Sequence, residues 1–348
     1  MTTKRLNEFV NFSPMYLIKK NTSVAALATI ASVILHGCAT LEESVDSEVE
    51  PTPVVMQLDW IFNAQFAGLF QAVEQGYYAD EGFDVEIRPG MSTDSVVTER
   101  IVNPAFRFGS TESNTLIGKV AAGSDAVAIG AMFQDSPMGW MYLKDGSIKE
   151  FADLAKSRVG IHTDGARTIA LLLEKQGVDV SQLETYSASY DPQQLLDGDA
   201  DALQCYYIDE FVKLEQMVGD RAGVFLARDY GYRAYSQVMY TSSATVAEHP
   251  EMVARFLAAT KRGWEYAFEH KDETIDLLLA KYNAKLDRDY QLRSLAKIEE
   301  LMVPEEGALF RPMDPAVLKA SQEHLLEYNL IPEAVDIDVL LMQQYLPR

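Results

Sequence analysis

Cysteine is almost missing from this chain of 348 residues. Cys38 and Cys205 are the whole supply, which excludes a disulfide framework. The five histidines are scattered, and no Cys/His group has metal-ligand spacing, so neither a metal nor any other cofactor is expected. Basic residues are also few: 30 Lys and Arg stand against 52 Asp and Glu, a net charge of −22. A surface of that sign excludes nucleic acid and an anionic membrane face as partners. It leaves the sign of a ligand open, because a pocket can differ from the surface around it. Long apolar runs are absent too. The run from Val24 to Leu35 is about a dozen residues, too short to span a bilayer.

What is present begins with a leader. Lys4, Arg5, Lys19 and Lys20 give residues 1–37 a positive start, and Val24 to Leu35 supplies a small-residue apolar core, as in a secretory signal peptide. Leu35-His36-Gly37-Cys38 resembles a bacterial lipobox, with His36 an unusual second residue. Cleavage there would leave Cys38 as the lipidated N-terminus. Several acyl chains at roughly 0.8 kcal/mol per buried methylene hold a protein on a bilayer almost irreversibly. The alternative is an ordinary secretory signal with a chance cysteine. Residues 38–53, rich in Glu, Ser, Thr and Pro from Thr40 to Pro53, then read as a flexible tether. Cys205 lies in the apolar run Ala202 to Tyr207 and reads as a small core residue.

The most informative stretch is Val54 to Ile87. Val54 to Leu58 is a short β-prone run that ends at Asp59 and Trp60. Asn63 can cap a helix whose apolar face is Phe66, Leu69, Phe70 and Val73. Gly76 closes that helix, and Phe83 to Ile87 alternates as a second strand. In an open α/β sheet ligands sit beyond the carboxyl ends of strands, where Asp59, Trp60, Asn63 and Gln65 fall.

The pattern LDW-x-x-N-x-x-x-A-G-L-x-x-A-x-x-x-G-Y-Y-x-x-E-G, at Leu58 to Gly82, resembles the periplasmic solute-binding proteins for pyrimidine precursors, sulfonates and nitrate. The fungal thiamine-pyrimidine synthases share that fold. The resemblance runs with gaps from Val54 to about Trp264, and its opening motif marks the family more than the ligand. It implies an α/β fold of the type II periplasmic-binding-protein kind: two lobes, each a mostly parallel sheet flanked by helices, two crossover segments and a helical C-terminal part.

The rest of the chain fits that expectation. Strand-like runs at Ala126 to Phe133, Arg158 to His162, Thr185 to Ser189 and Ala202 to Tyr207 alternate with helical ones at Ser113 to Ala122, Ala166 to Gln176 and Glu210 to Val218. The run from Gln193 to Ala202, a short helix, Gly and an acidic-Ala step into a strand, has a weak counterpart at Val97 to Phe108, which suggests a duplicated lobe. After Val246 the pattern is mostly helical. With crossings placed near Leu143 and Gln237, residues 54–143 form the first part of lobe one and residues 144–237 form lobe two. Residues 238–348 return to lobe one.

Candidate ligand residues each carry a plainer reading. Trp60 can stack on a planar ring or sit in the core with Val54, Met56 and Leu58. Asp59 can accept from an exocyclic amine or cap the following helix. Ser110, Thr111 and Glu112 lie where a strand meets a helix and can bind a polar group, or Glu112 can simply face the helix dipole. Asp164 and Gly165, with Thr163 and Arg167, form the equivalent junction in lobe two. Free amides there suit an anion, although Asp164 repels one. The resemblance marks the aromatic-acid step at Tyr207 and Glu210 as pocket-lining, with Tyr206 left to the core. Gln134, Tyr190 and Tyr235 are further candidates at strand ends and crossings.

These readings converge on a lipid-anchored substrate-binding component of an ABC importer. Its partners would be a small-molecule ligand, a permease with its ATPase, and the membrane through the lipid on Cys38. Trp60 and Tyr207 with Asp59 and Glu210 suit a neutral or cationic heteroaromatic, a thiamine pyrimidine precursor first and a flavin second, better than a sulfonate or nitrate. Gln65 departs from pyrimidine binders, which often carry histidine near that position. The alternative is the synthase, which consumes a histidine of its own chain and uses pyridoxal phosphate held on a lysine. Alignment on Phe106 to Thr115 puts Thr111 at that lysine and Thr115 at that histidine. Its cysteine-rich motif has no counterpart. A threonine forms no Schiff base and has no imidazole to donate. A third reading, a structural surface lipoprotein, predicts no cleft.

Overall fold

A computed structural model describes residues 50–90, 106–162, 165–303 and 308–347. The first run of elements is β1 (Thr52–Gln57), α1 (Ala67–Glu74), α2 (Tyr77–Asp80), β2 (Phe83–Arg88), β3 (Phe106–Thr111), α3 (Ser113–Ala121) and β4 (Ala126–Phe133). The second is β5 (Met138–Leu143), β6 (Arg158–Ile161), α4 (Gly165–Lys175), β7 (Glu184–Ser187), α5 (Gln193–Leu196), β8 (Ala202–Tyr206), α6 (Glu210–Val218) and β9 (Ala222–Leu226). The chain closes with β10 (Ser236–Ser242), α7 (Ser243–Glu248), α8 (Pro250–Glu269), α9 (Lys271–Leu277), α10 (Arg288–Met302), α11 (Pro315–Glu327) and α12 (Ile337–Leu340).

Two mixed sheets result, in the orders β2-β1-β3-β10-β4 and β7-β6-β8-β5-β9. The orders correspond strand for strand. In each sheet the first three strands are parallel, and the fourth (β10 or β5) runs antiparallel to both its neighbours. Apolar clusters cover both faces of each sheet. That explains why β4 reads as an unbroken apolar run, buried at every residue.

The structure moves the first crossing. Met138–Leu143, counted from sequence with the first lobe, pairs antiparallel with β8 and β9 in the second sheet. The chain therefore changes sheet between Phe133 and Met138, where Ser136-Pro137 interrupts two apolar runs that look continuous in composition. The return falls between Leu226 and Ser236, and Gln237 is already inside β10. The first-lobe counterpart of the Gln193 to Ala202 signature lies mostly outside the described residues.

The helical tail rebuilds the first lobe. The Ala67-Gly68-Leu69 step of the opening motif has a steric cause here. A Cβ on Gly263 of α8 would sit 2.1 Å from the Gly68 carbonyl, and one on Gly68 would meet the Trp264 ring at 2.2 Å. The two helices cross backbone to backbone, over a core that includes Phe66, Phe70, Phe256 and Trp264. α11 packs on α3, and Leu341 bridges to Ala128 of β4.

Candidate functional site

Side chains from the carboxyl ends of β1, β3 and β8 meet between the sheets. Asp59, two residues past β1, is buried, and the Gln237 amide donates to both its carboxylate oxygens at 3.1 Å. Burial pushes the Asp59 pKa up to about 7, with the Gln237 bond pulling the other way. Gln237 holds φ at +51°, in the left-handed region, and its Oε1 is buried with no partner among the described residues. A strained, buried, half-satisfied side chain on the central strands marks a constrained site.

Tyr206 ends β8, packed against the cores of both lobes. Burial first, then the charges of Glu112, Asp59 and Glu210 and the nearby Tyr232, push it well above its ordinary pKa. Glu112 accepts from the Ser236 hydroxyl. Glu210 accepts from the Tyr206 amide at 2.8 Å, and burial and then Asp209 raise its pKa. Asp209, raised mainly by burial, accepts from the Tyr290 hydroxyl. On the aromatic side, Trp60 faces Tyr190 of the second lobe at 6.3 Å between ring centroids, tilted 57°. Tyr190 stacks on His162 at 4.2 Å. Chemically this is a wall of hydrogen-bond acceptors beside a column of rings. It suits a planar ligand that donates hydrogen bonds.

Several candidates already hold partners within the fold. Asn63 caps a short 3-10 turn by accepting from Gln65 N at 3.0 Å, and Gln65 is buried beneath it. Gln134 ties the first crossing to the Ala131 and Arg311 carbonyls. The amide of Gly165 is already bonded to the His162 carbonyl at 2.9 Å, so it is not the free donor expected there. Arg167 donates to the Tyr328 carbonyl at 2.8 Å and lies over that ring, which removes the cation from the anion reading. Asp164 and Thr163 lie outside the described residues, as does Cys38. Ser110 and Thr111 are buried at the end of β3 with hydroxyls that have no partner among the described residues.

The two tyrosines have different surroundings. Tyr207 packs on Phe211 beneath the Lys297 ammonium and bonds Glu300, whereas Tyr206 packs against the cores of both lobes, within reach of the acids' charges. Strand alternation puts one of the pair on each face, and sequence alone does not say which face is the cleft. Gln237 stands beside Asp59 and His162 beside Tyr190. Nothing local in the sequence sets either of them apart.

Two α/β lobes of one strand order, joined by two crossings, with acids and rings converging between them, define a periplasmic-binding-protein fold. The solved structure of the periplasmic aliphatic sulphonate binding protein SsuA from Escherichia coli superimposes on it. The TM-score is 0.64 at 15% identity, over 86% of this chain and 94% of that one. The chain belongs to the NMT1/THI5-like family, which it matches over residues 63–274. It is 27% identical over 286 residues to the formylaminopyrimidine-binding protein of Halalkalibacterium halodurans, covering 80% of this chain and 86% of the relative. It is also 27% identical over 232 residues to the 4-amino-5-hydroxymethyl-2-methylpyrimidine phosphate synthase of Legionella pneumophila, covering 65% and 72%.

Proposed function

We propose that this protein is the lipid-anchored substrate-binding component of an ABC importer that captures an aminopyrimidine precursor of thiamine between its lobes. The observation that carries the reading is the buried Asp59 carboxyl, held by Gln237 beside Trp60 at the end of β1. An exocyclic amine supplies the donor that makes burying a carboxylate tolerable, and the ring stacks on the indole. Glu112, Tyr206 and Glu210 complete an acid-rich wall that disfavours sulfonate and nitrate. The similarity to a formylaminopyrimidine-binding protein supports the same ligand class. Tyr190 closes from the second lobe as the opposite ring.

The similarity to a synthase favours a second reading, in which the pyrimidine is made rather than carried. Thr111 and Thr115 at the positions of its lysine and histidine argue against it. No helix among the described residues is long and apolar enough to cross a membrane. The Leu35-His36-Gly37-Cys38 motif is what supports an anchor on Cys38 and a location in the cell envelope, facing the periplasm or exterior. Labelled palmitate should enter the wild type and not Cys38→Ser, which should leave the membrane fraction. Equal membrane association of both forms defeats the anchor. Mass spectrometry of the small molecules retained by the purified chain should find an aminopyrimidine that survives long incubation unchanged. A pyrimidine formed at the expense of a histidine moves the protein to the enzyme class.

A further inference from the structure

His162 is the first residue past β6, and β6 holds in the second sheet the place that β1 holds in the first. It therefore stands at the strand end equivalent to the one that presents Leu58-Asp59-Trp60. Its position is fixed from two directions. Its amide donates to the buried Gln204 side chain at 3.0 Å, and its ring lies against Tyr190 at 4.2 Å. Yet its Nε2 is buried with no hydrogen-bond partner among the described residues. Leaving a buried ring nitrogen unpaired is costly unless a ligand supplies the partner. Burial also lowers the His162 pKa, so the imidazole is neutral at pH 7 and offers one donor and one acceptor.

Trp60 and His162 both lie against the Tyr190 ring. A ring stacked on Trp60 that carries a polar arm toward the second lobe can bring a hydrogen-bonding group to this nitrogen. We propose that His162 is a specificity-determining residue whose Nε2 hydrogen-bonds the side arm of the ligand, selecting an armed aminopyrimidine over the bare ring. The inference rests on the reading that a pyrimidine ring binds at Asp59 and Trp60.

Calorimetry of the full chain with two probes tests it: an aminopyrimidine bearing a formylaminomethyl arm, and the same aminopyrimidine without the arm. His162→Phe keeps a ring against Tyr190 but has no hydrogen-bonding atom, and His162→Gln restores one. The armed probe should bind His162→Phe about tenfold more weakly than wild type, the size of one lost hydrogen bond to a buried group. His162→Gln should recover part of the loss, and the bare ring should bind all three chains equally. Equal losses for both probes would make His162 a packing residue for Tyr190 and overturn the inference, as would undiminished binding of the armed probe to His162→Phe. Either result leaves the pyrimidine reading standing. Wild-type protein that binds neither probe overturns that reading and this inference together.

Discussion

At Asp59 two opposing demands meet in one side chain. Desolvation favours the protonated acid, and a ligand amine favours the carboxylate. The folded-state pKa, about 7, lies above the unfolded value of about 4. The stability that comes from keeping the proton is therefore complete below about pH 4 and is lost as the pH rises to about 7. Glu210, raised by burial and by Asp209, acts in the same direction. Without ligand, the melting temperature should fall between pH 5 and pH 7, after allowance for surface carboxylates. Asp59→Asn should flatten most of that fall. An amine-bearing ligand should invert it, because binding the carboxylate releases a proton, so affinity rises with pH up to about 7. Melting curves at several pH values, with and without ligand, decide the matter. A slope unchanged in Asp59→Asn would remove Asp59 from this role.

The element scale shows how a motif and a fold were legible together. Strand-helix alternation, the cap at Asn63 and the apolar faces of the helices were readable because periodicity and capping are local properties. Helices at Ser113–Ala121 and Glu210–Val218 fall within a residue of where the pattern put them. The choice between Tyr206 and Tyr207, the strain at Gln237 and the change of sheet before Met138 were not readable, because each depends on which face of a strand meets which neighbour. Asp164, a candidate by analogy with the first lobe, lies outside the described residues. The glycines test the same level. Gly263→Ala must force α8 off α1 and should cost roughly 1–3 kcal/mol, as overpacking does. Gly118→Ala in α3 meets nothing nearer than the Ile331 methyl at 3.9 Å and should gain about 0.5–1 kcal/mol. Chemical denaturation of the two variants reads the contrast, and a Gly263→Ala protein as stable as wild type would refute the packing.

Across the whole molecule the lobes also touch away from Asp59 and Trp60. Arg167 and Lys175 of α4 reach Tyr328 and His324 at the end of α11, and the Ser294 hydroxyl of α10 donates to the Ile208 carbonyl at 2.6 Å. The first of these is an exposed latch, so its contribution is modest, about 1 kcal/mol or less. Arg167→Ala should therefore speed ligand release by up to about fivefold while leaving the contacts of Asp59 and Trp60 intact. Its radius of gyration without ligand should exceed that of the wild type by small-angle scattering. Identical release rates and identical scattering would show that the latch does not bear on closure.

The central claim is that a planar, donor-bearing ring is held between Asp59, Trp60 and the second lobe. Calorimetry of the purified chain with an aminopyrimidine, beside taurine and nitrate, tests it most directly. Binding of the aminopyrimidine should be saturable, with little or none of the two anions. Trp60→Ala should weaken it by roughly 1–3 kcal/mol, as expected when an aromatic platform is lost. Tight binding of taurine or nitrate with no response to the aminopyrimidine, or an aminopyrimidine affinity indifferent to Trp60→Ala, would contradict it.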